Sequence, residues 1–295
     1  MQKYILSCCS TADLTEEHFE KRGIKFICFN FSLDGVNYPD DMGKSIPFEK
    51  FYKAMTDGAE TKTAQVNADE YISFFTPLLE AGNDILHISF SSGLSGSYNS
   101  AIIAKNELAE KFPGRKLYIV DSLAASSGYG LLVDKIADLR DDGMEIDDLY
   151  KWVEENKLKL QHWFFSSDLT FYIKGGRVSK ASGIVGTLLN ICPLLNVDNN
   201  GKLIPRAKIR GKKNAVKKIV EKMEELSDNG LNYDGKCYIS NSACLEDAEA
   251  VADLVKSRFP KLCGEPEIYS IGTTIGSHTG PGTVALFFWG KLREN

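Results

Sequence analysis

The sequence predicts an α/β fold with a mostly parallel sheet flanked by helices, and three observations carry that prediction. Short runs rich in β-branched and aromatic residues alternate with segments whose apolar residues recur at helical spacing. Such alternation favours parallel strands joined by crossover helices. The 295 residues, 43% hydrophobic and 25% charged, are enough for a sizeable core and for two domains. Finally, the composition changes near residue 160, which divides the chain into domains 1–160 and 161–295.

The elements follow in order. YILSC from Tyr4, KFICFNFSL from Lys25, DILHISF from Asp84 and KLYIVDS from Lys116 read as strands. TEEHFEKRG, FEKFYKAM, ADEYISFFTPLLEAG and SYNSAIIAKNELAEKF read as helices, with Gly82 and Gly114 where C-terminal caps would sit. Beyond residue 160, HWFFSSDLTFYI reads as strand then helix. ASGIVGTLLNICPLLNV is almost unbroken apolar sequence, too short for a bilayer and interrupted by Pro193. NNGKLI, from Asn199, is a turn between strands, and KKNAVKKIVEKMEELS is a basic helix. KCYISNSA, a helix from Leu245 to Arg258, and EIYSIGTTIGSHTGPGTVALFFWG complete the chain.

Composition excludes several functions. With a net charge of -5, nothing global points to nucleic acid. No apolar run approaches the length of a membrane span, and MQKYILSCCSTADL is too short in apolar residues for a signal peptide, so a cytoplasmic protein is expected. The 7 cysteines are odd in number and form no CxxC, which argues for buried thiols and against a metal site. GKS at Gly43 lacks the first glycine of a Walker loop, and GYGLLV from Gly128 lacks the last glycine of a dinucleotide fingerprint. The chain has no GxSxG elbow, since Ser97 replaces its second glycine in Gly93–Ser97. No cofactor is expected.

The segments left over are polar turns. SFSSGLSGSYNSA, from Ser89, joins a strand to a helix, where unpaired N–H groups and the helix dipole can hold an anion. There Ser95 supplies a hydroxyl and Gly96 allows close approach; a plain helix cap is the competing reading. TKTAQVN lies immediately before a helix, where Thr63 or Asn67, taken alone, reads first as an ordinary cap. His278 lies in GSHTGPG, a glycine-rich loop, where its ring can donate to a carboxylate or to local backbone. KIRGKKNAVKK concentrates basic charge around Arg210, either as a solvated face or as a docking patch, and Arg177 in KGGRVSK is grouped with it.

Taken together, SSGLSGSYNSA, DSLAASSGYG, the block from LTFYIKGGRVSK to RGKKNA, and GSHTGPGTVAL resemble the DegV family, in the family's order and over essentially the whole chain. The resemblance implies two α/β domains of the DegV type enclosing a long-chain fatty acid. It also implies service as the lipid-carrying, non-catalytic subunit of a bacterial fatty-acid kinase. By that resemblance Thr63, Ser95, Gly96 and His278 would hold the carboxylate, and Arg210 and Arg177 would face the kinase subunit. Ile184, Leu188, Leu189, Ile191 and Phe287, with Phe164, Phe165 and Phe171, are candidates for the acyl slot or for ordinary core. Two departures stand out. The family's Asp-Ser-Thr is here Cys9-Ser10-Thr11, and its Thr-Ser-Gln-Pro is Thr63-Ala64-Gln65-Val66. A lipid-responsive regulatory module, and a serine acyl-ester hydrolase using Ser95 and His278, are the alternative functions.

Overall fold

The computed structural model describes residues 4–179 and 190–293. Its first sheet is wholly parallel, in the order β2-β1-β6-β7, built from β1 (Tyr4–Cys9), β2 (Lys25–Ile27), β6 (Asp84–Ser89) and β7 (Leu117–Asp121). The crossovers carry α1 (Glu16–Lys21), α2 (Phe48–Thr56), α3 (Ala68–Glu80) and α4 (Ser97–Lys111), and α5 (Ser126–Asp141) and α6 (Ile146–Asn156) follow β7. Strands covered on both faces need apolar residues at nearly every position, and β1 and β6 are buried almost throughout.

KFICFNFSL, expected as one strand, is two. β2 ends at Ile27, and β3 (Asn30–Leu33) turns away into an antiparallel sheet between β4 (Val36–Pro39) and β5 (Thr61–Ala64). The break falls at Cys28–Phe29, where the Phe29 N–H donates to Ser10 Oγ, and beyond β3 the hairpin turn Asp34-Gly35, both residues with positive φ, folds β4 back onto β3. Gly82 takes the left-handed conformation that closes α3, whereas Gly114 does not, because α4 has already ended at Lys111. Asn67 caps α3 in a reciprocal capping box with Glu70.

A six-stranded mixed sheet follows, in the order β10-β9-β8-β13-β11-β12. It contains β8 (Leu160–Ser166), β9 (Ile191–Val197), β10 (Leu203–Arg210), β11 (Tyr238–Asn241), β12 (Glu267–Ser270) and β13 (Thr283–Trp289). Only β11 and β12 pair in parallel; the remaining neighbours are antiparallel. Alternation along β8 and β13 splits their side chains between two cores. Trp163, Phe165, Val284, Leu286 and Phe288 pack with α8 (Lys212–Leu226) and α9 (Leu245–Arg258). Phe164, Ala285 and Phe287 face the other way, into the large core shared with the first sheet.

Candidate functional site

That second face is the floor of a cavity of about 690 Å³. His162 and Phe164 of β8, Val197 of β9, Leu203 of β10, and Thr283, Ala285 and Phe287 of β13 contribute to its lining. Phe90, Leu94, Ser95 and Gly96 close it from the loop after β6, and Ala125 and Ser126 from where the loop after β7 enters α5. Both loops leave the carboxyl ends of parallel strands, the usual place for a ligand on an open α/β sheet.

One end of the cavity is polar. Thr63, on β5, and His278 meet there with Oγ1 and Nε2 2.8 Å apart. His278 is not in a loop as expected. It sits in the last turn of α10 (Thr273–Thr279), because Asp40 accepts from the Thr273 N–H and hydroxyl and so stabilises the start of this short helix. Burial, and then the charge of Arg177, lower the His278 pKa to about 4, so the ring is neutral at pH 7. Its buried Nδ1 has no hydrogen-bond partner. Since orphaned donors are rarer than orphaned acceptors, the proton is assigned to Nε2, which donates to Thr63 and leaves the threonine hydroxyl free to donate into the cavity.

Ser95 is arranged to the same effect. Its Oγ accepts from the Ser97 N–H at the start of α4 (3.2 Å), so its own proton is available to a ligand. The glycines of the motifs are close-approach positions. A Cβ on Gly96 would stand 2.5 Å from Gln65 Oε1, and one on Gly175 would stand 2.4 Å from His278 Nδ1. One on Gly93 would meet the carbonyl of Asn200 at 2.4 Å, which packs the GLSG turn onto the NNG hairpin.

Arg177 also lines this end, half-buried behind α7 (Thr170–Lys174). Its guanidinium donates to the carbonyls of Gly175 (2.6 Å) and Leu94 (3.1 Å) and has no carboxylate partner among the described residues. Burial lowers its pKa, because desolvation disfavours the charged form. The polar end thus combines two hydroxyl donors, a neutral imidazole and a guanidinium bonded only to carbonyls among the described residues, opening onto an aromatic and aliphatic slot.

A family model described as "Uncharacterised protein, DegV family" matches residues 9–291. The chain belongs to the DegV family. A DegV domain-containing protein of Clostridium perfringens is 37% identical over 294 residues, covering 100% of both chains. A DegV lipid-binding protein of Thermotoga maritima is 27% identical with a TM-score of 0.85, over 99% of this chain and 100% of its own. A fatty-acid-binding DegV protein of Thermus thermophilus is 25% identical with a TM-score of 0.84, over 98% and 100%.

Among the residues singled out in the sequence, the DegV fold brings Thr63, Ser95, Gly96, His278, Phe164 and Phe287 to one cavity. Arg177 joins them there instead of lying on an outer face. Phe165 and Phe171 do not line it. Phe165 points into the other core by strand alternation, and Phe171 packs against Gly280 and the small cluster around Phe51. Ile191, paired with Arg210 at the far end of β9, is also absent from the lining. Ile184, Leu188 and Leu189 lie outside the described residues. Arg210 is exposed beside the amino end of α8, with Lys212 and Lys213. Missed in the sequence were Phe29, Phe90, His162, Tyr172 and Ile275 of the lining. For His162 and Tyr172 the signal was present, as period-two alternation in HWFF and helical spacing in LTFYI.

Proposed function

We infer that this protein binds a long-chain fatty acid, encloses the acyl chain and presents its carboxylate, without catalysis of its own, to a separate ATP-dependent fatty-acid kinase subunit. The single observation that carries the reading is the junction of Arg177, which has no carboxylate partner among the described residues, and the Thr63–His278 pair with an apolar cavity of about 690 Å³. Burying about 14 methylenes at roughly 0.8 kcal/mol each gives on the order of 11 kcal/mol before binding costs. One charge-assisted hydrogen bond adds about 1.5–3 kcal/mol. The tail therefore sets affinity and chain-length preference, and the polar end sets orientation. The lipid- and fatty-acid-binding relatives from Thermotoga and Thermus support the ligand class.

The kinase partner rests on the motif resemblance and on the exposed basic run at Arg210, Lys212 and Lys213. A division into domains 1–160 and 161–295 belongs to the same reading. It is supported by the strand allocation, since every strand of the mixed sheet begins at or after Leu160. An ATP-using partner implies the cytoplasm, and among the described residues no helix is long and apolar enough to cross a membrane.

Mixing the loaded protein with a fatty-acid kinase catalytic subunit and ATP, and trapping acyl phosphate with hydroxylamine, tests the reading. Ser95→Ala should lower acyl-phosphate formation about tenfold, the worth of one buried hydrogen bond. An unchanged rate would remove Ser95 from the head-group site, and covalent labelling of Ser95 by a fluorophosphonate would favour a hydrolase.

A further inference from the structure

Behind Ser95 runs a second set of polar side chains that the cavity does not expose. Ser7 of β1 and His87 of β6 are register partners in the parallel sheet, and Ser7 Oγ lies 3.0 Å from His87 Nδ1. His87 Nε2 lies 3.8 Å from Cys9 Sγ, at the end of β1. Cys9 Sγ is 3.3 Å from the hydroxyl of Tyr71 on α3, and that hydroxyl is 2.8 Å from Ser97 Oγ, on the first residue of α4. Ser97 in turn donates its N–H to Ser95 Oγ. Ser7, Cys9, Tyr71, His87 and Ser97 are all fully buried.

Five polar residues in the interior of a sheet domain are costly unless each finds a partner, and a chain that satisfies all of them fixes every member. Cys9 stands where the family's triplet carries an aspartate. A carboxylate here would be an ionised acceptor, whereas the thiol is a small neutral link able to donate or to accept. The links converge on the start of α4, whose N–H holds the oxygen of Ser95.

We propose that Tyr71 and Cys9 are positioning residues for Ser95, anchoring the start of α4 so that the Ser95 hydroxyl points at the head group of the ligand. The proposal rests on the fatty-acid reading for the identity of that head group, but the anchoring itself does not. Tyr71→Phe breaks the chain at its centre, and Ser97→Ala breaks it one link nearer the site. Cys9→Ala removes the thiol link, and Cys9→Ser restores a hydroxyl in its place.

Two readouts test it. The first is the ratio of affinities for a fatty acid and for the fatty alcohol of equal length, measured on the full chain. The alcohol shares the tail and lacks the carboxylate, so a general loss of structure weakens both ligands alike. Tyr71→Phe and Ser97→Ala should lower the preference for the acid about tenfold while affinity for the alcohol changes less than about twofold. The second is hydrogen exchange of the Ser97 amide in unliganded protein, which should quicken about tenfold in Tyr71→Phe and Cys9→Ala and be restored in Cys9→Ser. If wild type binds neither ligand, the fatty-acid reading falls and amide exchange alone decides the anchoring. Unchanged exchange in Tyr71→Phe and Cys9→Ala variants that remain folded would overturn the proposal, as would an equal loss of both ligands in Tyr71→Phe and Ser97→Ala.

Discussion

His278 is the residue whose chemistry depends most on its surroundings. Burial and Arg177 lower its pKa to about 4, against about 6.5 in an unfolded chain. Between those values the unfolded state binds a proton that the folded state refuses. The stability linked to this group is therefore fully present above about pH 6.5 and is lost as pH falls through about 4. Replacing His278→Gln should flatten the dependence of denaturant midpoint on pH between 4 and 6.5, measured against wild type; identical slopes would show that the ring titrates normally. The sequence marked His278 by its glycine-rich neighbourhood but misread its setting. GSHTG reads as a loop because glycine and threonine are poor helix formers, and the short helix exists because Asp40, more than 200 positions away, accepts from Thr273. Long-range capping of this kind leaves no local signal.

At the scale of elements, the site depends on how closely α7 and α10 approach. Gly175, at the end of α7, lies against the imidazole of His278, which α10 supplies. A methyl group there would fall 2.4 Å from Nδ1, and the ring is already tethered to Thr63 on its other side. Gly175→Ala should therefore cost about 1–3 kcal/mol of stability, as overpacking does, and weaken acid binding more than alcohol binding. A variant with wild-type melting and unchanged acid preference would contradict the contact. The neighbouring glycine answers to backbone and not to space, since Gly176 has a φ of +72 and an open flank. The motif GGR is thus legible as a unit in sequence, while the reason for each letter emerges only in three dimensions. Strands β8 and β13 were more transparent. Their alternation assigns Phe164 and Phe287 to the cavity and Phe165 to the opposite core, a distinction available from parity alone.

At the scale of the whole molecule, two sheets share one core, and the cavity opens where the loops of the first meet the face of the second. A buried ionic group helps to hold the halves together. Asp134 of α5 accepts from His18 of α1 and from Lys236 before β11, and Arg22 lies 3.4 Å from it. Burial works to raise the Asp134 pKa, but the hydrogen bonds from His18 and Lys236 prevail and hold the carboxyl below the usual range. Its contribution is therefore present above the unfolded carboxylate pKa and lost only in stronger acid. Asp134→Ala should destabilise the chain near the lower end of about 3–5 kcal/mol, because Asp138 still holds Lys236 and Arg22. A change below about 0.5 kcal/mol in chemical denaturation would show the group to be incidental. None of these pairings is visible in sequence, where Asp134, His18 and Lys236 are ordinary charges on separate elements. The parallel sheet, by contrast, followed from alternation of elements, and the antiparallel hairpin β3–β4 had its own signal in Asp34-Gly35.

The central claim is that the cavity holds a long-chain acid with its carboxylate at Thr63, Ser95, Arg177 and His278. Native mass spectrometry of the purified full-length chain, followed by solvent extraction, tests it most directly. The expected result is a major species heavier than the polypeptide by the mass of one fatty acid, released on denaturation and identified in the extract. A folded protein that carries no acid, and that takes up none when incubated with oleate or palmitate, would contradict it.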